Sequence, residues 1–192
     1  LRQCLAHIDE LEAHRKEIES EILQIAEPFS AVLDLLYTLP GLDKNPMTAI
    51  AILSEIGPDM SVFPSSKHLV SWAGCCPRND QSNQKVKSRR ISRAGSYLKP
   101  LLVQVANALI KSKKHPEFKE RYHRIKSRRG HKKAVIAVCK MLLTAIWNML
   151  SKLEPYNPEG FLEHRPVRQE KTLTVSQALE LLRLRGYTIT NQ

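Results

Sequence analysis

Three serines stand among lysines and arginines in the polar segment 77–95, where residue types and spacing allow chemistry on phosphates. A serine hydroxyl on an exposed segment can attack a phosphodiester when cations surround the phosphorus. The same residues suit simple backbone binding, because Lys and Arg neutralise phosphates while Ser donates hydrogen bonds to their oxygens. Spacing alone leaves both interpretations open and names no nucleophile. The serines are Ser82, Ser88 and Ser92, and their basic neighbours are Arg78, Lys85, Lys87, Arg89, Arg90 and Arg93.

Positive charge is concentrated around this segment. Residues 78–133 hold 18 Lys or Arg and 3 acidic residues, a balance of +15 in a chain whose net charge is +11, so the remainder sums to −4. A focused positive field favours a nucleic-acid partner over a small acidic substrate. A solvated basic face, or a contact surface for an acidic protein, is the alternative. Further backbone-contact candidates are Arg121, Arg124, Arg128, Arg129, Lys132 and Lys133.

Helical periodicity dominates the elements that must position these residues, so the predicted fold class is mainly α. The spacing predicts helices over 30–37, 45–56, 66–72, 96–110, 115–128, 134–153 and 175–185, with a short strand at 85–90. The apolar segment 134–153 is expected to be the central core helix. The predicted domains are a linker helix (1–28), a compact helical domain with the basic loop (29–153) and an extension with a short helix (154–192).

The segment 1–27 predicts one long, coiled-coil-like helix. Its apolar residues fall mostly at steps of three, four or seven, with charged residues between them. A dimer seam, an intramolecular antiparallel hairpin and a helix packed on its own domain all fit this pattern. The chain begins at Leu1 rather than Met, inside this helix, which favours a fragment of a longer protein.

The segment 30–57 has the pattern of a helix-hairpin-helix. Leu39-Pro40-Gly41-Leu42 separates two apolar helices, and Asn45 with Pro46 predicts the start of the second. A glycine turn before a helix can offer backbone N–H groups to a phosphate without reading a base. Gly41 and Lys44 are therefore candidate nucleic-acid contacts, and a plain helical turn is the alternative.

Other side chains favour structural roles. We expect His68 to pack or cap a helix. Core packing is favoured over base stacking for Trp72 and Trp147, and closing the core from its rim is favoured over phosphate contact for Tyr97. The four cysteines form no C-x-x-C pair, which predicts a reducing compartment. No signal peptide and no apolar run of 18 residues occur, so we expect neither secretion nor a membrane span.

Taken together, these motifs resemble the C-terminal domain of one bacterial transposase family. The order of motifs is Leu39-Pro40-Gly41, Ala49 to Gly57, Phe63-Pro64-Ser65, Leu69 to Gly74, Pro77, Ser82, Lys85, Ile91-Ser92-Arg93-x-Gly95 and Tyr97-Leu98. It is similar to the family of insertion sequences 110, 116 and 902, the DEDD transposases described as RNA-guided recombinases. The resemblance covers about residues 30–153.

The resemblance implies a catalytic role for Ser82, with Ser92 as the fallback. Family members carry a serine that attacks DNA and forms a phosphoserine link, in a Ser-Gly-Gly-Lys-like run that aligns with Ser82. Here Asn83-Gln84 replaces the two glycines. The implied partners are DNA, a structured guide RNA and further subunits, as a homodimer or tetramer of the full-length protein in the bacterial cytoplasm.

The resemblance also implies that metal chemistry belongs to a different domain. Family members bind Mg²⁺ through four acidic residues of an N-terminal RuvC-like domain, which this chain does not contain. The aspartates Asp34, Asp43, Asp59 and Asp80 are scattered, and no cofactor is expected in this chain. The chain alone is therefore expected to bind nucleic acid and not to recombine it. The alternative function is a non-catalytic module for nucleic-acid binding and oligomerisation.

Overall fold

The computed structural model describes residues 1–77, 80–82, 85–88, 91, 95–159 and 175–185, and it confirms a mainly α-helical fold. The helices are α1 (Arg2–Ala26), α2 (Ser30–Tyr37), α3 (Pro46–Ile56), α4 (Ser66–Trp72), α5 (Leu98–Lys111), α6 (Pro116–Arg129), α7 (His131–Lys152) and α8 (Val175–Leu184). Single 3₁₀ turns occupy Glu27–Phe29 and Met60–Val62, and two short strands are β1 (Asp80–Ser82) and β2 (Lys85–Ser88).

Helix α7 is the centre of the core, as its continuous apolar sequence predicts. It buries ten of its 22 residues and packs against α2, α4, α5 and α6. Among the described helices it is the one long and apolar enough to cross a membrane. However, 56% of its apolar window is buried inside the fold. That burial against neighbouring helices is what a core helix requires.

Local sequence signals set the helix starts as predicted. The Asn45 side chain accepts a hydrogen bond from the Met47 N–H at 3.0 Å, and Pro46 follows at the first helical position. At the start of α4, Ser65 Oγ lies 2.9 Å from Nδ1 of His68. This contact joins two side chains, and the Ser65 side chain makes no cap hydrogen bond to the backbone of α4, so the capping role expected for His68 stays a prediction. The Asn45 side chain satisfies a backbone N–H that the start of a helix would otherwise leave without a partner.

Helix α1 extends from the rest of the fold with its apolar stripe uncovered. Ala26, in its last turn, is its only buried residue. Leu5, Ile8, Leu11 and Ile18 are all at least half exposed, and no part of the chain that the structure describes covers them. Packing of this helix on its own domain, one of the three alternatives, is therefore wrong for the described residues. Pairing with another helix stays a prediction.

The chain divides into two compact units, residues 1–158 and 159–192. The first holds α1 to α7 and the two strands. In the second the structure describes α8, which confirms the short amphipathic helix expected at 175–185. The domain boundaries at 28 and 153 stay predictions.

Candidate nucleic-acid interface

The central part of the basic loop is an antiparallel ribbon of two short strands. Its register pairs Asp80 with Ser88, Gln81 with Val86, and Ser82 with Lys85, with an irregularity between Asp80 and Gln81. Ser82 therefore ends β1 directly opposite Lys85, the first residue of β2. Facing residues of an antiparallel pair have Cα atoms about 4.5–5.5 Å apart. The pairing places one hydroxyl residue and one cation side by side where the ribbon turns.

The root of the ribbon is fixed to the helical core. Pro77 and Ile91 form an antiparallel bridge below the two strands. Next to it, an ideal Cβ on Gly95 would lie only 2.5 Å from the backbone oxygen of Ala73. The chain thus leaves the core after α4 and returns to it before α5 through one tight contact. We define the ribbon root as Ala73, Pro77, Ile91 and Gly95.

Gly95 is expected to be the least replaceable residue of the ribbon root. Its φ is +69°, which disfavours any L side chain, and a Cβ would meet the fixed backbone of Ala73. Gly57 is a matched control, because its φ is +75° and an added Cβ would meet nothing within 4 Å. Gly57→Ala should cost about 1–3 kcal/mol from backbone strain alone. Gly95→Ala should cost about 1–3 kcal/mol more, because overpacking adds to that strain.

Urea denaturation of the two variants beside the wild type measures this difference in the free energy of unfolding. Equal destabilisation by Gly95→Ala and Gly57→Ala would contradict the tight contact at the ribbon root.

A second basic surface lies on α6 and the first turn of α7, which Gly130 joins into a hairpin. Residues 116–133 contain eight Lys or Arg and two Glu. Phe118 is fully buried and Tyr122 nearly so, which fixes the opposite face of α6 to the core. The predicted contacts on this hairpin are all exposed, namely Arg121, Arg124, Arg128, Arg129, Lys132 and Lys133. We call these six residues the hairpin cations.

The two helices of this hairpin are connected at its turn. Tyr122 Oη lies 2.9 Å from Nδ1 of His131, and the two rings meet edge to face. The ammonium of Lys126 stands 5.4 Å from the centre of the Tyr122 ring, within cation–π distance. These contacts hold the end of α6 against the start of α7. The hairpin cations therefore lie on one rigid pair of helices.

The hairpin cations are not neutralised by the ion pairs seen among the described residues. Those pairs join His7 to Glu10, Arg15 to Glu19, and His115 to Glu117. Glu117 also accepts a hydrogen bond from Tyr156 Oη at 3.2 Å. Partial burial, and then the charge of neighbouring Arg124, lowers the pKa of Arg121. Mutual repulsion of this kind is relieved when a polyanion binds.

The predicted helix-hairpin-helix has its two helices, α2 and α3, but Gly41 is not offered to solvent as a phosphate donor. Its N–H donates to Oδ1 of Asp43 at 3.1 Å. An added Cβ would lie 2.9 Å from Cγ1 of Val105 in α5. Gly41 is thus turned towards the core, while Lys44 is exposed. Phosphate binding at this turn stays a prediction.

Several predicted contacts cannot be placed on either surface. Arg78, Arg89, Arg90, Ser92 and Arg93 lie outside the described residues. Lys85 and Lys87 lie in β2, where the structure describes the backbone. The ribbon therefore sets Ser82 opposite Lys85 by register, with Lys87 further along β2. The hairpin holds a separate set of cations.

Comparison with known proteins connects the ribbon to a family. Residues 33–123 match the model of the Transposase IS116/IS110/IS902 family. The match supports membership of that transposase family. It includes most of α2, all of α3 to α5, the ribbon and the first half of α6, whereas five of the six hairpin cations lie beyond it.

Two curated relatives support the same family. The chain is 30% identical over 125 residues to the pilin gene-inverting protein of Moraxella bovis, and 28% identical over 125 residues to that of Moraxella lacunata. Each alignment covers 64% of this chain and 38% of the relative, so the chain spans well under half of either relative's length. No solved structure is significantly similar to this chain.

Acidic, histidine and cysteine side chains do not cluster in the part of the chain that the structure describes. No three His, Cys, Asp or Glu side chains gather within the described residues so as to hold a metal ion. The side chains that do gather are cationic, which suits phosphate oxygens and not a metal ion.

Two aromatic side chains next to the ribbon root are more exposed than their favoured structural roles predict. Trp72 was expected in the core, but its side chain is 45% exposed. Tyr97 was expected to close the core, but it is 74% exposed, so that expectation is wrong. Trp147 does pack inwards, and its Nε1 donates to the backbone oxygen of Phe63 at 3.0 Å.

Proposed function

We propose that this chain is the serine-bearing, nucleic-acid-binding part of a transposase that cleaves and exchanges DNA strands. One observation carries the proposal: the family match includes a basic ribbon whose register sets Ser82 opposite Lys85. Ser82 is also the serine that the family resemblance selects. No specific observation favours the helix-hairpin-helix alternative, because the Gly41 N–H is already bonded to Asp43.

The proposed chemistry is a transesterification at Ser82. The hydroxyl oxygen attacks the phosphorus of a DNA phosphodiester and forms a phosphoserine bond. The bond from phosphorus to one sugar oxygen breaks, the serine proton is lost to a base, and the sugar oxygen leaves as a hydroxyl. Cations next to the phosphate, of which Lys85 is the paired one, stabilise the negative charge on the oxygens in the transition state. The reverse reaction with another strand's hydroxyl rejoins DNA.

The hairpin cations would hold the nucleic-acid backbone near this site. Lys and Arg contacts to phosphates position a duplex without reading its sequence. Sequence choice would then come from another component, and a structured guide RNA is the one that the resemblance implies. We further propose a homodimer or tetramer in which the stripe of α1 pairs with another helix.

The relatives fit this function. Their printed names describe proteins that invert a pilin gene in two Moraxella species. Inversion of a gene requires breakage and rejoining of DNA strands, which is the reaction proposed for Ser82. Any metal chemistry would belong to the RuvC-like domain that the resemblance implies, and such a protein would act in the bacterial cytoplasm.

Binding of the chain alone to DNA tests the first half of the proposal. At least six phosphate contacts by the ribbon and hairpin predict that affinity for a labelled duplex falls about a thousandfold between 50 and 200 mM salt. Ser82→Ala is the matched control and should leave affinity and salt dependence unchanged, because one neutral hydroxyl adds little to backbone binding. Fluorescence anisotropy at several salt concentrations measures both. Weak binding with little salt dependence would contradict the proposal.

A further inference from the structure

Two exposed aromatic side chains flank the ribbon root, one on each segment that forms it. Trp72 immediately precedes Ala73, and Tyr97 lies two residues after Gly95. Because Gly95 abuts the Ala73 backbone, these two short segments cross at close range. Trp72 and Tyr97 therefore lie one and two residues, respectively, from the same close contact, where the basic ribbon leaves the core. Ile91 lies between them in the sequence and forms the β-bridge with Pro77. It is 39% exposed and adds apolar surface.

Both side chains are held on rigid backbone. Trp72 ends α4, and its ring meets Phe63 edge to face at 5.7 Å between centroids. Tyr97 directly precedes α5, whose first residue, Leu98, is fully buried. Phe63, Phe118 and Tyr122 are buried in the same fold. Large rings left in solvent on fixed backbone are typical of a binding surface and cost little further ordering when a ligand stacks on them.

The charge of the adjoining segment indicates which partner fits. Residues 78–93 contain six Lys or Arg and one Asp, a balance of +5. An apolar protein surface would gain little from the positive charge of residues 78–93. A polyanion with flat aromatic groups matches both the positive charge and the exposed rings. Nucleic acid has this combination, because phosphates meet the cations while bases stack on aromatic rings. In a duplex the bases already stack on each other, so only unpaired bases are free for such contacts.

We propose that Trp72 and Tyr97 form a stacking platform for unpaired nucleobases beside the ribbon. The inference rests on the proposed function and deepens it, since strand exchange requires bases near the cut to leave the duplex. The platform would hold one or two such bases while their phosphates contact the ribbon. Stacking accepts any base, so the platform adds affinity for single strands without sequence choice.

The first test compares affinities for a labelled single strand and for a duplex of the same sequence, with the whole 192-residue chain at fixed salt. Tyr97→Ala should weaken single-strand binding about fivefold to a hundredfold and change duplex binding less than twofold. Tyr97→Phe should bind as the wild type does, because it keeps the ring. Phe29→Ala is the matched control, since it removes a 42% exposed ring at the α1–α2 junction.

Tryptophan fluorescence gives a second readout. A base stacked on Trp72 should quench its emission, so single strands should quench the wild type more than duplexes do. Trp72→Phe keeps Trp147 as the remaining fluorophore and should lose that extra quenching.

The outcomes separate the two proposals. Failure of the wild type to bind either nucleic acid would overturn the proposed function, and the platform with it. Two results would overturn the platform alone, provided that the wild type binds both nucleic acids. In the first, Tyr97→Ala binds the single strand as tightly as the wild type does. In the second, Tyr97→Ala loses the same affinity for the single strand and for the duplex. In that case the exposed rings would be left as a surface for a protein partner.

Discussion

Ser82→Ala is expected to abolish the covalent protein–DNA adduct that the proposed function requires of a longer protein containing this chain. The alanine lacks the only atom that can form the phosphoserine bond, so loss should be complete and not partial. The assay mixes that longer protein with the proposed guide RNA, labelled donor and target DNA, and magnesium. A denaturing gel then shows a protein-linked strand for the wild type and none for Ser82→Ala. Binding of the same DNA on native gels should persist, which separates chemistry from affinity.

Ser92→Ala is the matched control for this result. Ser92 is the other serine that the resemblance allows, and it lies ten residues further along the same basic segment. We expect Ser92→Ala to keep the adduct, with at most a reduced yield from weaker phosphate positioning. An adduct that survives Ser82→Ala and disappears in Ser92→Ala would identify Ser92 as the nucleophile.

Neutralising the tip of the hairpin should weaken nucleic-acid binding about a hundredfold to a thousandfold. The variant carries Ala at Arg128, Arg129, Lys132 and Lys133, four exposed cations that flank Gly130. Each lost phosphate contact should remove about 0.9 from the slope of log affinity against log salt, so the slope should flatten by about 3 to 4. Anisotropy titrations at three or more salt concentrations give both the affinity and the slope.

A charge-matched control distinguishes a local contact from a loss of net charge. Four other exposed cations lie outside residues 78–133, namely Arg2, Lys16, Lys140 and Lys152. Alanine at these four positions changes the net charge by the same amount and should change affinity only a few fold. Equal losses in both variants would show that the hairpin is a solvated face and not a binding surface.

The helices were predictable because local signals determine them. Apolar residues at helical spacing, the Asn45 cap and Pro46 determine α3, and the long apolar segment forms the central helix α7. The ribbon was only partly predictable. Strands as short as β1 and β2 contain too few residues for alternation to appear, and their pairing depends on the ribbon root.

Contacts between residues that are distant in the sequence explain which features of the ribbon root were not predicted. Gly95 meets Ala73, 22 positions earlier in the chain, and no periodic pattern encodes that contact. Tyr97 lies one residue before the first buried residue of α5. At such a position the sequence alone does not show whether a side chain packs against the edge of the core or is exposed to solvent. The hydrogen bond from the Gly41 N–H to Asp43 Oδ1 was also not predicted, because the usual Asp turn accepts from an N–H two residues later in the chain and not two residues earlier.

Mapping the residue that becomes linked to DNA tests the central claim most directly. Trypsin cuts after Lys and Arg, so it separates the three serines of the basic segment into the peptides 79–85, 88–89 and 91–93. The adduct would be digested with nuclease and trypsin and then analysed by mass spectrometry. The account predicts a nucleotide on peptide 79–85, whose only hydroxyl side chain is that of Ser82. A nucleotide on peptide 88–89 or 91–93, or a wild-type reaction that recombines DNA without any linked peptide, would contradict it.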